Sequence, residues 1–214
     1  MIRYLLADLV RSQRWLPPVL LYLCIAAVLY GGDAGAPRPP YAASAMALLP
    51  IAAWLTVVVV NNEDPVQRRV TLAAVGGWRR LLGGLVGSAL LCNGVLVVLA
   101  TLVPPLLNRH HYGSVDVVLG FMAHTISALT GIGLGVLCAR PMIPTTGWSL
   151  IAVLGGTLTA LVANRVPPVG TTAHLLFDSD PPEVVAAVSV QAAIAVAVLA
   201  AATTIGFLVG RKRF

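Results

Sequence analysis

The chain has 214 residues, 58% of them hydrophobic and only 10% charged. A soluble domain carries about 25% charged residues because water must solvate its surface. Eight acids and fourteen bases are too few for that, so lipid must cover much of the surface and a soluble globule is excluded. At about 20 residues per crossing, the length allows six membrane helices with short loops and no large soluble domain.

Residues 2–15, IRYLLADLVRSQRW, place Ile2, Leu5, Leu6, Leu9 and Val10 on one side of a helical wheel. Arg3, Asp8, Arg11 and Arg14 fall on the other side, and Trp15 ends the segment. This is the pattern of an amphipathic helix lying in a membrane interface. A rival reading is a signal peptide cut near AASA at 42–45. It fits less well, because signal n-regions are basic and this segment holds Asp8.

Six apolar segments follow, at about 16–30, 41–60, 81–107, 115–139, 148–163 and 184–209. The first is short for a crossing and requires help from its neighbours or local thinning of the bilayer. Gly- and Pro-rich loops separate them, including GGDAGAPRPP at 31–40 and ARPMIPTTG at 139–147. The stretch NRVPPVGTTAHLLFDSDPPE at 164–183 is the longest polar connection, and the chain closes on a basic tail, RKRF. The expected fold is therefore all-α and polytopic. Residues 1–15 form an interfacial helix, and 16–214 form one six-span membrane domain.

Basic residues orient it. With the N-terminus inside, the inner segments hold Arg3, Arg11, Arg14, Arg68, Arg69, Arg79, Arg80, Arg140, Arg211, Lys212 and Arg213. The outer loops hold only Arg38, Arg109 and Arg165, together with Asp33, Asp116, Asp178, Asp180 and Glu183. This segregation also accounts for the net charge of +6 without any nucleic-acid partner. Both termini are expected in the cytoplasm, with the chain in a cell inner (plasma) membrane. Thirteen arginines to one lysine, with abundant Ala, Gly, Val and Pro, fit a GC-rich bacterial genome.

The most informative loop is NNEDPVQRRVTLAAVGGWRR at 61–80. Asp64 stands at an N-cap position, Pro65 at the first helical position and Gln67 at the third, a capping-box-like start. Gly76-Gly77 supplies a stop. The spacing predicts a short cytoplasmic helix, Pro65–Val75, with Glu63 and Asp64 at its positive dipole end. Val66, Val70, Leu72 and Ala73 offer apolar surface, and Arg68 and Arg69 offer charge. Such a helix either lies on anionic headgroups or docks a cytoplasmic partner, whose movement it can pass to the two spans it joins.

Other constellations are weaker. Gly131 and Gly135, and Gly83 and Gly87, have the spacing of close helix-packing sites. His124 lies deep in the fourth span beside Thr125, and an ionisable group at that depth is a functional candidate. Asn93 and Gln191 join His124 and Thr125 as possible pathway residues. No carboxylate lies deep in a span, which argues against proton coupling. His110, His111, His174, Asp178 and Asp180 fall on the outer side without metal-ligand spacing, and no metal site is assigned. Cys24, Cys92 and Cys138 sit in or at the ends of apolar segments and indicate no disulfide framework.

The order of elements resembles the permease subunits of ATP-binding-cassette exporters, the type-2 export permeases. The resemblance rests on the amphipathic start, two spans, the loop NEDPVQRRVTLAAVGGWRR and four further spans. It implies that 2–15 is an elbow helix and that 64–75 is a coupling helix set in a cleft of the ATPase. Glu63, Asp64, Gln67, Arg68 and Arg69 are its implied contact residues. Segment 164–183 resembles the family's outer re-entrant or capping segment. No P-loop can be built here, since the only lysine, Lys212, precedes Arg213. The resemblance thus implies no catalytic residue or cofactor on this chain. ATP and Mg belong to two separate ATPase subunits, and a second permease copy, identical or related, completes the pathway. The rival functions are an intramembrane enzyme acting on lipid or peptide, which needs a buried nucleophile–base pair, and a non-catalytic scaffold or immunity protein.

Overall fold

The computed structural model describes residues 1–32, 35–107, 112–162, 167–178 and 181–213. Among these the chain is helical, with no strand. The helices are α1 (Ile2–Ser12), α2 (Leu16–Tyr30), α3 (Arg38–Asn61), α4 (Pro65–Val75) and α5 (Trp78–Leu107). They continue as α6 (Ser114–Cys138), α7 (Thr146–Val162), α8 (Val169–Asp178) and α9 (Pro181–Arg213). Asp33, Arg109, His110, His111, Arg165 and Asp180 lie outside the described residues.

Length divides the apolar helices. At 1.5 Å per residue, α3, α5, α6 and α9 each exceed the roughly 30 Å of hydrocarbon in a bilayer. The expected first and fifth crossings, α2 and α7, have 15 and 17 residues and reach only about 23 and 26 Å. Among the described residues, four helices are therefore long and apolar enough to cross, or five if α1 and α2 together make one broken crossing. α1 meets α2 at 75°, after Gln13 takes a left-handed conformation (φ 54°) that ends α1.

The centre is the parallel pair α3 and α6. Arg38 Nε meets Asp116 Oδ1 at 3.0 Å at one end, and the Arg140 amide donates to Asn61 Oδ1 at 3.1 Å at the other. Small residues allow the close approach. A Cβ on Gly131 would lie 2.8 Å from the Ala52 Cβ, and one on Gly135 would lie 2.6 Å from the Thr56 Cβ. The expected packing role of this glycine pair thus holds. The other pair differs: Gly87 receives Ile2 of α1, whereas Gly83 faces open space.

α5 and α9 flank this pair. Tyr41 on α3 donates to the Thr101 carbonyl of α5, so α5 runs antiparallel to α3. The Trp78 indole donates to the Gly206 carbonyl at 3.3 Å and packs on Gly210, which puts the start of α5 beside the end of α9. Residues 61–80, 140 and 206–212 therefore gather at one end, carrying Arg68, Arg69, Arg79, Arg80, Arg140, Arg211 and Lys212. The segregation of positive charge read from the sequence is a property of one end of the bundle. α2 lies on α3 and α5 through Tyr22, and α8 covers the opposite end through Val169, Ala173 and Leu176 against Tyr41 and Leu119. The stretch 164–183, expected as a polar connection, thus contains a helix. α1 buries Leu5 and Leu9 against α3, α5 and α6, while Val10, expected on the apolar side, is exposed.

Candidate functional site

α4 begins and ends where the loop chemistry requires. Asp64 is extended (ψ 165°), and its Oδ1 accepts from the amides of Val66 at 2.8 Å and Gln67 at 2.7 Å. Pro65 fills the first position, where no amide hydrogen is needed. Gly76, with φ 76°, turns the chain out of the helix, and the Gly76 and Gly77 amides cap the Leu72 carbonyl. The reciprocal half of a capping box is not made. Gln67 Nε2 donates instead to the Tyr4 hydroxyl of α1 at 2.8 Å.

The faces of α4 are inverted relative to a simple surface helix. Arg68 and Thr71 are turned inward, Arg68 to 3% exposure, and Glu63 beside them is 1% exposed. Val66 and Val70 are 72% and 66% exposed, next to exposed Arg69, Ala73 and Ala74. Leu72 packs against the bundle and does not share that face.

Beneath α4 lies a polar junction. Arg68 Nη2 donates to the Val60 carbonyl, and Thr71 Oγ1 donates to Glu63 Oε1 at 2.7 Å. Burial pushes the Arg68 guanidinium below its ordinary value, with Glu63 opposing the shift and Arg140 adding to it. Asn62 donates to Asp8 of α1, and Asn61 holds the Arg140 amide in the turn between α6 and α7. α4 is thus tied to α1, to the end of α3 and, through Asn61, to the end of α6.

The five residues expected to contact a partner therefore divide. Arg69 is exposed and free to do so. Asp64 is exposed but engaged as the cap, and Gln67 is bound to Tyr4. Glu63 and Arg68 belong to the interior. Tyr4, Asp8, Asn61 and Arg140 complete the junction. Among them the sequence singles out only Asp8, on the polar side of the first helix, and Arg140, as a topological charge.

The four possible pathway residues also separate. Asn93 and Thr125 line one groove between α5 and α6. Gln191 lies on α9. His124 faces α3 and has a partner that sequence did not suggest. Its Nδ1 lies 2.7 Å from the Gly120 carbonyl, and its Nε2 lies 2.9 Å from Ser44 Oγ. A carbonyl only accepts, so Nδ1 carries a proton, and the single Ser44 hydroxyl hydrogen serves either Nε2 or the Tyr41 carbonyl at 3.2 Å. Tyr30 Oη extends the chain at 2.9 Å from Ser44. Ser44 and His124 are 1% and 0% exposed, so no substrate reaches them in this arrangement. Among the described residues, no three His, Cys, Asp or Glu side chains come together.

No protein-family model, no curated protein and no solved structure matches this chain.

Proposed function

We propose that this chain is the membrane subunit of an ATP-binding-cassette exporter and that α4 is its coupling helix. The observation that carries the reading is the inverted helix: charge is turned inward and valine outward at the basic end of the bundle. Exposing Val66 and Val70 is unfavourable in water and becomes favourable when a partner covers them. Arg69 at the centre of that face suits an acidic rim on the partner.

In this reading the basic end is cytoplasmic, the membrane is the cell's inner (plasma) membrane, and both termini lie inside. The chain crosses six times, with α2 and α7 spanning thinned bilayer, and α1 is the elbow helix. Two ATPase subunits supply ATP and Mg, and two permease copies form the pathway. The junction under α4 passes ATPase movement to α3 and α6.

The test is co-purification of the full-length protein with its ATPase. Val66→Asp/Val70→Asp should abolish capture while leaving the detergent-solubilised fold intact by gel filtration. Arg69→Glu should weaken capture about tenfold or more, as truncation at a central contact does. Capture that survives replacement of residues 65–75 by a Gly-Ser linker rules the reading out.

A second reading, an intramembrane hydrolase, is favoured by one observation, the Ser44–His124 hydrogen bond. It requires the pair to open to substrate. A fluorophosphonate that labels the native protein and not Ser44→Ala would support it. Absence of labelling in bilayers removes it.

A further inference from the structure

A second groove runs between α5 and α9 and reaches the basic end of the bundle. It has a volume of about 640 Å³. Leu82, Val86, Leu90 and Phe207 make its walls apolar, and Gly83 leaves room, since a Cβ built there meets nothing within 4 Å. Thr203 and Thr204 also line it, but their hydrogens are spent on their own helix. Thr203 donates to the Leu199 or Ala200 carbonyl at 2.9 Å, and Thr204 to that of Ala200 at 2.8 Å. Among the described residues, Arg79 is the one charged side chain in the lining.

Arg79 is held at the mouth and left accessible. The bond from the Trp78 indole to the Gly206 carbonyl fixes the first residue of α5 against the last turns of α9. Arg79 follows at once and is exposed. Its neighbour Arg80 turns the other way, donating from Nη1 to the Val75 carbonyl at the end of α4 at 3.3 Å. Among the described residues, no ion pair engages the Arg79 guanidinium, and no acidic side chain lines the groove. Arg211, also exposed, lies one turn beyond Phe207 on the same face of α9 and adds a second cation at this end. The groove is therefore cationic at its mouth and apolar below it. From Arg79 to Leu90 it follows α5 for about 16 Å at 1.5 Å per residue, close to half of the roughly 30 Å hydrocarbon core. An occupant that satisfies both parts is anionic at headgroup depth and apolar for the depth of one leaflet. A soluble anion fills only the mouth, and an uncharged chain leaves Arg79 without a counter-charge.

We propose that the α5–α9 groove holds an anionic phospholipid from the leaflet at the basic end, with its phosphate on Arg79 and Arg211 and one acyl chain along Leu82, Val86 and Leu90. Arginine suits the phosphate because its planar fork donates two parallel hydrogen bonds. The site stands independently of the transport reading, because it needs no ATPase.

The test uses the full-length protein in phosphatidylcholine nanodiscs. They are doped with phosphatidylglycerol carrying a diazirine on one acyl chain, or with phosphatidylcholine carrying the same chain. Labelling is mapped by mass spectrometry to residues 82–90 and 203–208. There the phosphatidylglycerol probe should label at least about fivefold more, the preference that one arginine near a membrane surface confers. Arg79→Gln should remove most of that preference. Arg80→Gln deletes the same charge one residue away, outside the groove, and should leave it in place. Gly83→Leu fills the groove without meeting any neighbour and should abolish labelling of both segments by both probes. Equal losses in Arg79→Gln and Arg80→Gln overturn the proposal, since the preference is then diffuse attraction to the basic end. Labelling that persists in Gly83→Leu overturns it as well. So does displacement of the probe by millimolar glycerol phosphate, because the site then takes a soluble anion. Disulfide-linked dimers from Gly83→Cys in a cysteine-free background also overturn it, because a second copy then covers the groove.

Discussion

α6 and α9 are both long, apolar helices, yet they are built in opposite ways. In its most apolar 18-residue stretch α6 has 61% of residues buried in protein, whereas α9 has 17% buried in its own. In water a helix as apolar as α9 would seek the core. In lipid, hydrophobicity gives no preference for the interior, and small residues and hydrogen bonds bring helices together. α6 supplies both, through Gly131 and Gly135 against α3 and through His124 bonded to Ser44.

Four substitutions test that contrast, in falling order of effect. Gly135→Leu on α6 should be the most damaging. Its first side-chain carbon would already stand 2.7 Å from the Ala53 carbonyl, so α3 and α6 must separate. A loss of about 3 kcal/mol or more is expected, enough to remove the monodisperse peak in gel filtration after mild heating. A native peak and an unchanged melting temperature would mean that the helices do not pack this closely.

Val196→Lys on α9 comes next. Val196 is 55% exposed and lies near the middle of the helix, so the new charge faces hydrocarbon. Membrane insertion should cost about 2.5–3.5 kcal/mol, read as the inserted fraction in a glycosylation-tagged insertion assay. Full insertion would indicate that this face of α9 meets water.

Ser44→Ala should be milder. It leaves His124 Nε2 without its hydrogen-bond partner, at about 1–3 kcal/mol in thermal denaturation. Removing the histidine too, as Ser44→Ala/His124→Leu, should recover part of the loss, because no orphaned polar atom remains. A double variant less stable than the sum of the two single ones would contradict a purely structural pair. Val196→Leu should be the mildest, within about 0.5 kcal/mol, since neither lipid nor protein is disturbed.

Much of the local structure was readable without coordinates. Asp64-Pro65 and Gly76-Gly77 mark the ends of α4 because caps act through residues adjacent in sequence. The same holds for the apolar segments and the charge segregation. Counting crossings went less far. α2 is as apolar as a crossing requires, but Trp15 and Gly31 bound it at 15 residues, and α7 starts only after the turn that follows Cys138. At the candidate site the residue types were legible and their orientation was not. Glu63 and Arg68 look like contact residues in a charged loop, but Thr71, the Val60 carbonyl and the Arg140 turn draw them inward.

By itself the sequence determined a helical membrane protein, a basic end and a capped helix at that end, because hydropathy, charge and capping are properties of neighbours along the chain. Only the tertiary structure decided which face of α4 is free, that His124 belongs to Ser44, 80 residues away, and that Asn93 Oδ1 is buried without a hydrogen-bond partner. Those outcomes depend on which helices lie side by side. In lipid, that choice is made by backbone proximity and hydrogen-bond geometry between distant segments rather than by hydrophobicity.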